Sequence, residues 1–155
     1  MPSRRTLIHM TEEEQEKFLE DGWTLQVAST GPNGWPHLVA MWYAVIDGLV
    51  HFTTFTKSQK ILNLQRDPRV TCMLEKGDKY EELQGLVIEG EAEVISDDPD
   101  LIVRVLKHTG AKYRGIPIDA PLDADRRRLA AKRAVVRVQP KRVYSWDHRK
   151  LGARY

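Results

Sequence analysis

Short stretches in which apolar and polar residues alternate at every second position dominate this chain, and turn-forming residues punctuate them. A period of two is the signature of strands with one buried face. Trp23, Leu25 and Val27 fall on one side of such a stretch and Thr24, Gln26 and Ala28 on the other, which predicts a strand over residues 23–30. Gly31-Pro32-Asn33-Gly34 supplies a turn. The apolar run from Trp35 to Ile46 predicts one long strand. Asp47-Gly48 is the strongest hairpin signal in the chain, because both residues tolerate the positive φ of a tight turn, and Leu49 to Phe55 reads as the returning strand. Further strands are predicted over 69–75, 83–95, 134–139 and 142–146, the last two divided by Pro140.

Helix signals fall between these runs. Thr11 with Glu14 three residues later is a capping box; the helix it opens carries Phe18 and Leu19 and stops at Gly22. Ser58 is a candidate N-cap for a helix reaching Asp67-Pro68. Asp98-Pro99 starts another, with proline at the first helical position and Gly110 as its predicted end. An irregular loop over 111–122 and a basic helix over 123–133 follow. The order is helix, three strands, helix, two strands, two helices, two strands. Tight turns between consecutive strands make most pairings antiparallel. Residues 1–155 therefore read as a single α+β domain, a barrel-like sheet of about seven strands with small peripheral helices. No Gly-x-Gly-x-x-Gly follows a strand, which argues against a Rossmann dinucleotide site.

Charge changes the picture in one place. The chain holds 24 Lys and Arg against 22 Asp and Glu, yet residues 126–155 carry eleven of those bases and one acid, Asp147. Apolar residues such as Leu129, Val135, Val138 and Trp146 are interleaved there, so the segment reads as folded rather than as a nucleic-acid-binding tail. A lone cysteine, Cys72, excludes an internal disulfide and a multi-cysteine zinc site. The five histidines show no i, i+4 pair on a predicted helix, so no metal is expected. No apolar run approaches the ~20 residues of a membrane helix. No apolar stretch follows Arg4-Arg5 as a secretory signal needs, and the expected compartment is the cytosol.

One segment has the chemistry of an anion site. Phe52 to Lys60 ends a strand and begins a helix, and it supplies three threonine hydroxyls, the Ser58 hydroxyl, two ammonium groups (Lys57 and Lys60) and the free N–H groups of a helix start. A capped helix with two solvated lysines would have the same sequence. No serine or cysteine has a nucleophile's context and no catalytic residue is apparent. Trp42 and Trp146, two of four tryptophans, flank polar or basic segments and could cover a planar ligand or simply pack the barrel.

Taken in order, Gly34-Trp35-Pro36-His37, Met41-Trp42-Tyr43 before Asp47-Gly48, Phe52-Thr53-Thr54, Lys57-Ser58-Gln59-Lys60, Asn63-Leu64-Gln65-Arg66-Asp67-Pro68-Arg69-Val70 and the ending Ser145-Trp146-Asp147-His148-Arg149-Lys150-Leu151-Gly152 match one pattern. Over about residues 8–152 the chain resembles the pyridoxamine-5′-phosphate-oxidase-like split β-barrel superfamily. Within it, it most resembles the small oxidoreductases that use the deazaflavin coenzyme F420; the Trp-Asp-His-Arg-Lys-Leu-Gly ending tilts the likeness that way. The resemblance implies a mainly antiparallel split barrel forming a homodimer, with cofactors in grooves between subunits. It implies that His37, Met41 and Trp42 line the ring, that Thr53 and Thr54 bond the ribityl chain or phosphate, and that Lys57, Ser58 and Lys60 hold the phosphate. Trp146, His148 and Arg149 match a segment that can reach the partner's cofactor. Pyridoxamine-phosphate oxidases of the superfamily have Arg and Lys where His37 and Trp42 stand, and a C-terminal Arg-Leu-x-x-Arg block not found here, which argues against that reaction. The implied activity is hydride transfer from reduced F420 to a conjugated small molecule such as an enone, quinone or tetrapyrrole. An FMN-dependent oxidoreductase and a non-catalytic cofactor-sequestering protein are the alternatives. The oligoglutamate tail of F420 is a run of carboxylates that Arg66, Lys76, Lys79 or the 126–133 cluster could attract.

Overall fold

A computed structural model describes residues 3–152; the ends of the predicted domain, and Arg154 of the basic segment, lie outside the described residues. Seven strands form one antiparallel sheet: β1 (Leu25–Thr30), β2 (Pro36–Met41), β3 (Ala44–Ile46), β4 (Leu49–Phe55), β5 (Arg69–Lys76), β6 (Gln84–Ile95) and β7 (Arg133–Asp147). Their spatial order is β2-β1-β5-β6-β7-β4-β3. The two edges, β2 and β3, are consecutive in the chain and separated only by Trp42 and Tyr43. The sheet therefore curls until its edges are joined by covalent chain rather than by a ladder of hydrogen bonds, which is a split barrel.

This corrects the single strand expected over 35–46. Trp42 and Tyr43 leave the ladder: the Tyr43 amide donates to the Tyr113 hydroxyl at 3.2 Å, and the buried Tyr43 hydroxyl donates to the Leu19 carbonyl. An apolar run could not reveal a change of sheet edge, since both halves are apolar. The hairpin after it forms as expected, with Asp47 at φ 53° and Gly48 at φ 76°.

Alternation fills the barrel. Leu25 and Val27 of β1, Val50 and Phe52 of β4, Cys72 and Leu74 of β5, and Val136 and Val138 of β7 meet in one core, with Ile61 and Leu64 of α3 (Gln59–Arg66) closing it. Trp23 departs from the expected inward face; it precedes β1, is exposed, and packs its ring 4.6 Å from Tyr113. The opposite faces of β3 and β7 present Ala44, Ile46 and Val135 to Leu101, Ile102 and Val105 of α4 (Pro99–Arg114), a second core outside the barrel. The capping box is present in α2 (Glu12–Asp21), with both reciprocal bonds and Gly22 as C-cap.

Three boundaries differ from expectation. Helix α4 runs through Gly110 and stops at Gly115, whose φ of 65° is the left-handed conformation glycine supplies. Gly110 is instead a notch, buried within the helix. The basic helix α5 (Ala124–Ala130) is shorter than predicted and capped by Asp123. Pro140 does not divide β7, because the register with β6 shifts at Glu89/Gly90, opposite it. A bulge absorbs a residue that cannot donate to the ladder. The five-residue α1 (Arg4–Ile8) was too short for periodicity to detect. Among the described residues no helix is long and apolar enough to cross a membrane, and no group of His, Cys, Asp or Glu could hold a metal.

Candidate functional site

The period of two along β4 sends neighbouring threonines to opposite faces. Thr54, next to the barrel end, meets α3: its hydroxyl receives a bond from Lys60 Nζ at 3.0 Å and donates to Ser58 Oγ at 3.3 Å. Ser58 occupies the N-cap position of α3 but its side chain makes no cap bond. The first-turn N–H groups of α3 thus keep their capacity for another acceptor. Thr53 faces the other way, toward Arg133 at the start of β7, whose Nη1 donates to the Thr53 carbonyl at 3.1 Å and to Thr53 Oγ1 at 3.2 Å.

Lys60 and Arg133 repel one another. Burial, and then the Arg133 charge, hold the Lys60 ammonium below its ordinary pKa, and burial does the same to Arg133. No acid offsets them: neither is in an ion pair among the described residues. Arg133 Nε is buried without a partner. Two partly desolvated cations, three hydroxyls and a helix start, with a buried donor unused, fit a phosphate or another compact anion.

A cleft of about 560 Å³, with Thr53 and Arg133 in its lining, lies between the sheet and helices α4 and α5. Met41, Trp42 and Thr53 line it, joined by Arg114, Arg126 and Arg133. Trp42 stacks face to face on Tyr113, with ring centroids 4.6 Å apart and planes 7° apart. The Tyr113 hydroxyl donates to the Trp23 carbonyl at 2.8 Å, so the indole rests on a fixed platform.

Of the predicted site residues, Met41, Trp42 and Thr53 line this cleft; Thr54, Ser58 and Lys60 are joined to one another outside its lining, and Lys57 is exposed. His37 lies in β2 opposite Ser29, outside the cleft lining, with its Nδ1 buried and unpaired. Trp146, His148 and Arg149 lie elsewhere in the protomer. Trp146 covers Gly85 on the neighbouring strand, His148 Nδ1 bonds the Tyr80 carbonyl at 2.7 Å, and Arg149 pairs with the buried Asp147 at 2.7 Å. Sequence reasoning did not single out Arg114 or Tyr113, and it offered Arg133 only within the 126–133 cluster, for an oligoglutamate tail. Arg133 is 73 positions from Lys60 and reaches it only because β7 pairs with β4.

The curled antiparallel sheet, its two edges joined by chain, defines a split-barrel protein. The family model described as pyridoxamine 5′-phosphate oxidase matches residues 11–147, and the chain belongs to that family. A conserved hypothetical protein from Mycobacterium tuberculosis is 41% identical, with 99% of this chain and 95% of that one covered and a TM-score of 0.86. A solved F420 reductase is 28% identical, with 83% and 94% covered and a TM-score of 0.62. The haem storage protein HutZ of Vibrio cholerae shares the fold at 19% identity, with 85% and 92% covered and a TM-score of 0.66. No curated protein matches.

Proposed function

We propose that this protein is an oxidoreductase that binds reduced coenzyme F420 and delivers hydride to a conjugated small-molecule acceptor. The observation that carries the reading is the acid-free pair Lys60 and Arg133 beside Thr53, Thr54 and Ser58, opening into a cleft with a fixed indole. Lys60, Ser58 and Thr54 would hold the phosphate, Thr53 and Arg133 the adjoining polar chain, and Met41 and Trp42 would lie beside the ring. When bound, the deazaflavin supplies a two-electron hydride donor. The cleft lining contains no Asp, Glu or His. The chain's residues there orient and desolvate, and solvent or a cleft arginine would supply the proton that completes reduction of the acceptor. The similarity to an F420 reductase over most of the chain supports this choice. FMN is the second reading, because the same cluster suits its phosphate.

Titration with F420 and with FMN, followed by tryptophan fluorescence, tests the assignment. F420 is expected to bind at least about tenfold more tightly, a gap of ~1.4 kcal/mol. Equal affinities would move the protein to the flavin reading. Tight F420 binding with no turnover of quinone acceptors would make it a sequestering protein.

A further inference from the structure

The wall of the cleft formed by α4 and α5 carries two more cations that pair with no acid among the described residues. Arg126 of α5 is anchored there, its Nη2 donating to the Leu106 carbonyl of α4 at 2.5 Å. Its guanidinium lies against Gly110, where a methyl group would overlap it. Glycine inside a helix is less favourable than alanine. Gly110 leaves room in α4 for that guanidinium at the cleft wall. Arg114, the last residue of α4, stands 5.6 Å from the centroid of the Trp42 ring. Neither Arg114 nor Arg126 belongs to an ion pair among the described residues. A guanidinium has five N–H donors, and Arg126 uses one on Leu106, so most of its fork remains for a ligand.

Met41, Trp42, Leu106 and Leu129 supply the apolar part of the lining around these cations, with Thr24, Thr53 and Thr109 among them. We propose that Arg114 and Arg126 form a carboxylate subsite, and that the acceptor is a planar conjugated molecule bearing a carboxylate. This rests on the reading above, in which Lys60 and Arg133 take the cofactor's phosphate and leave the α4–α5 wall to a second ligand. A planar fork matches a carboxylate in two parallel bonds, and Leu106 and Leu129 suit the ring that carries it. The oligoglutamate tail of F420 offers the same carboxylate chemistry, but a solvated tail gains nothing from the two leucines beside the cations. The carboxylate takes no part in electron transfer; it fixes which end of the acceptor faces the hydride donor.

Isothermal titration calorimetry of the full chain with a naphthoquinone carboxylate and with its neutral methyl ester tests the subsite without turnover. The acid is expected to bind at least about tenfold more tightly than the ester. Arg114→Met and Arg126→Met should each remove most of that preference, leaving ester and F420 affinities within about threefold of the parent's. Equal binding of acid and ester by the parent protein overturns the proposal. So does a loss of F420 affinity in the arginine variants as large as the loss for the acid, which would give the cations to the cofactor's tail. A preserved acid preference in a protein that binds neither F420 nor FMN would sink the cofactor reading and leave the subsite standing. Should Arg126→Met fail to fold, Arg114→Met decides alone, since Arg114 is exposed at a helix end.

Discussion

Lys60 is the residue on which cofactor affinity should depend most. Its ammonium already donates to Thr54 Oγ1 and sits partly desolvated beside Arg133, so a bound phosphate relieves a repulsion as well as gaining a bond. Charge-assisted bonds are worth about 1.5–3 kcal/mol. Lys60→Ala should weaken F420 binding roughly ten- to a hundredfold, measured by fluorescence titration; unchanged affinity would put the anion elsewhere. The depressed pKa adds a pH signature. At neutral pH Lys60 is charged and affinity is level. As pH rises the ammonium is lost earlier than the ordinary 10.5, so affinity should begin to fall below that pH. Lys60→Arg should remove this alkaline limb, and a limb that persisted would belong to another group. The local part of this cluster was legible because Thr53 through Lys60 are contiguous and a strand end meeting a helix start collects donors. The other half, Arg133 and its unused Nε, was not, because only the β4–β7 pairing brings it there.

At the scale of elements, glycines explain what periodicity could not. Punctuation such as the capping box and Asp47-Gly48 is local and was read correctly, whereas Gly110 looked like a helix end and serves as a seat for Arg126. Gly85 is a similar case in the sheet. It pairs with Trp146 across β6 and β7, and a methyl group there would overlap the indole. Trp146 thus has a packing role within its own protomer, and Arg149 likewise neutralises Asp147, which is 4% exposed. A residue type near a chain end does not distinguish such work from ligand binding. Gly85→Ala should destabilise the fold by about 1–3 kcal/mol through overpacking, read from the denaturant midpoint, with F420 affinity changed far less. A midpoint equal to the parent's would show that the indole moves aside freely; a selective loss of cofactor binding at full stability would return Trp146 to the site.

For the whole molecule, the open question of physical consequence is what covers the apolar surface that a split barrel leaves outside. Edge strand β2 is exposed at alternate positions, with Leu38 64% accessible, and Trp35 just before it is 75% accessible. Near the anion cluster, Phe55 and Leu62 are each about half exposed. Scattered apolar residues on a surface need no explanation, but large ones on an unpaired strand edge do, because such an edge invites pairing and aggregation. A second copy is the covering we expect, since the cleft proposed for the cofactor borders the end of β2 at Met41. An obligate interface of this kind buries more than roughly 2,000 Å². Light scattering at micromolar concentration should therefore give twice the chain mass of 17.9 kDa. Placing a charge on the strand edge, Leu38→Asp, should shift the protein toward monomer by leaving a carboxylate unpaired in an apolar contact. If the groove is shared, the variant should lose F420 affinity in step with its loss of dimer, and recover both at higher protein concentration. A monomeric parent would overturn the assembly outright. A dimeric parent whose Leu38→Asp variant stayed dimeric would place the contact on another face.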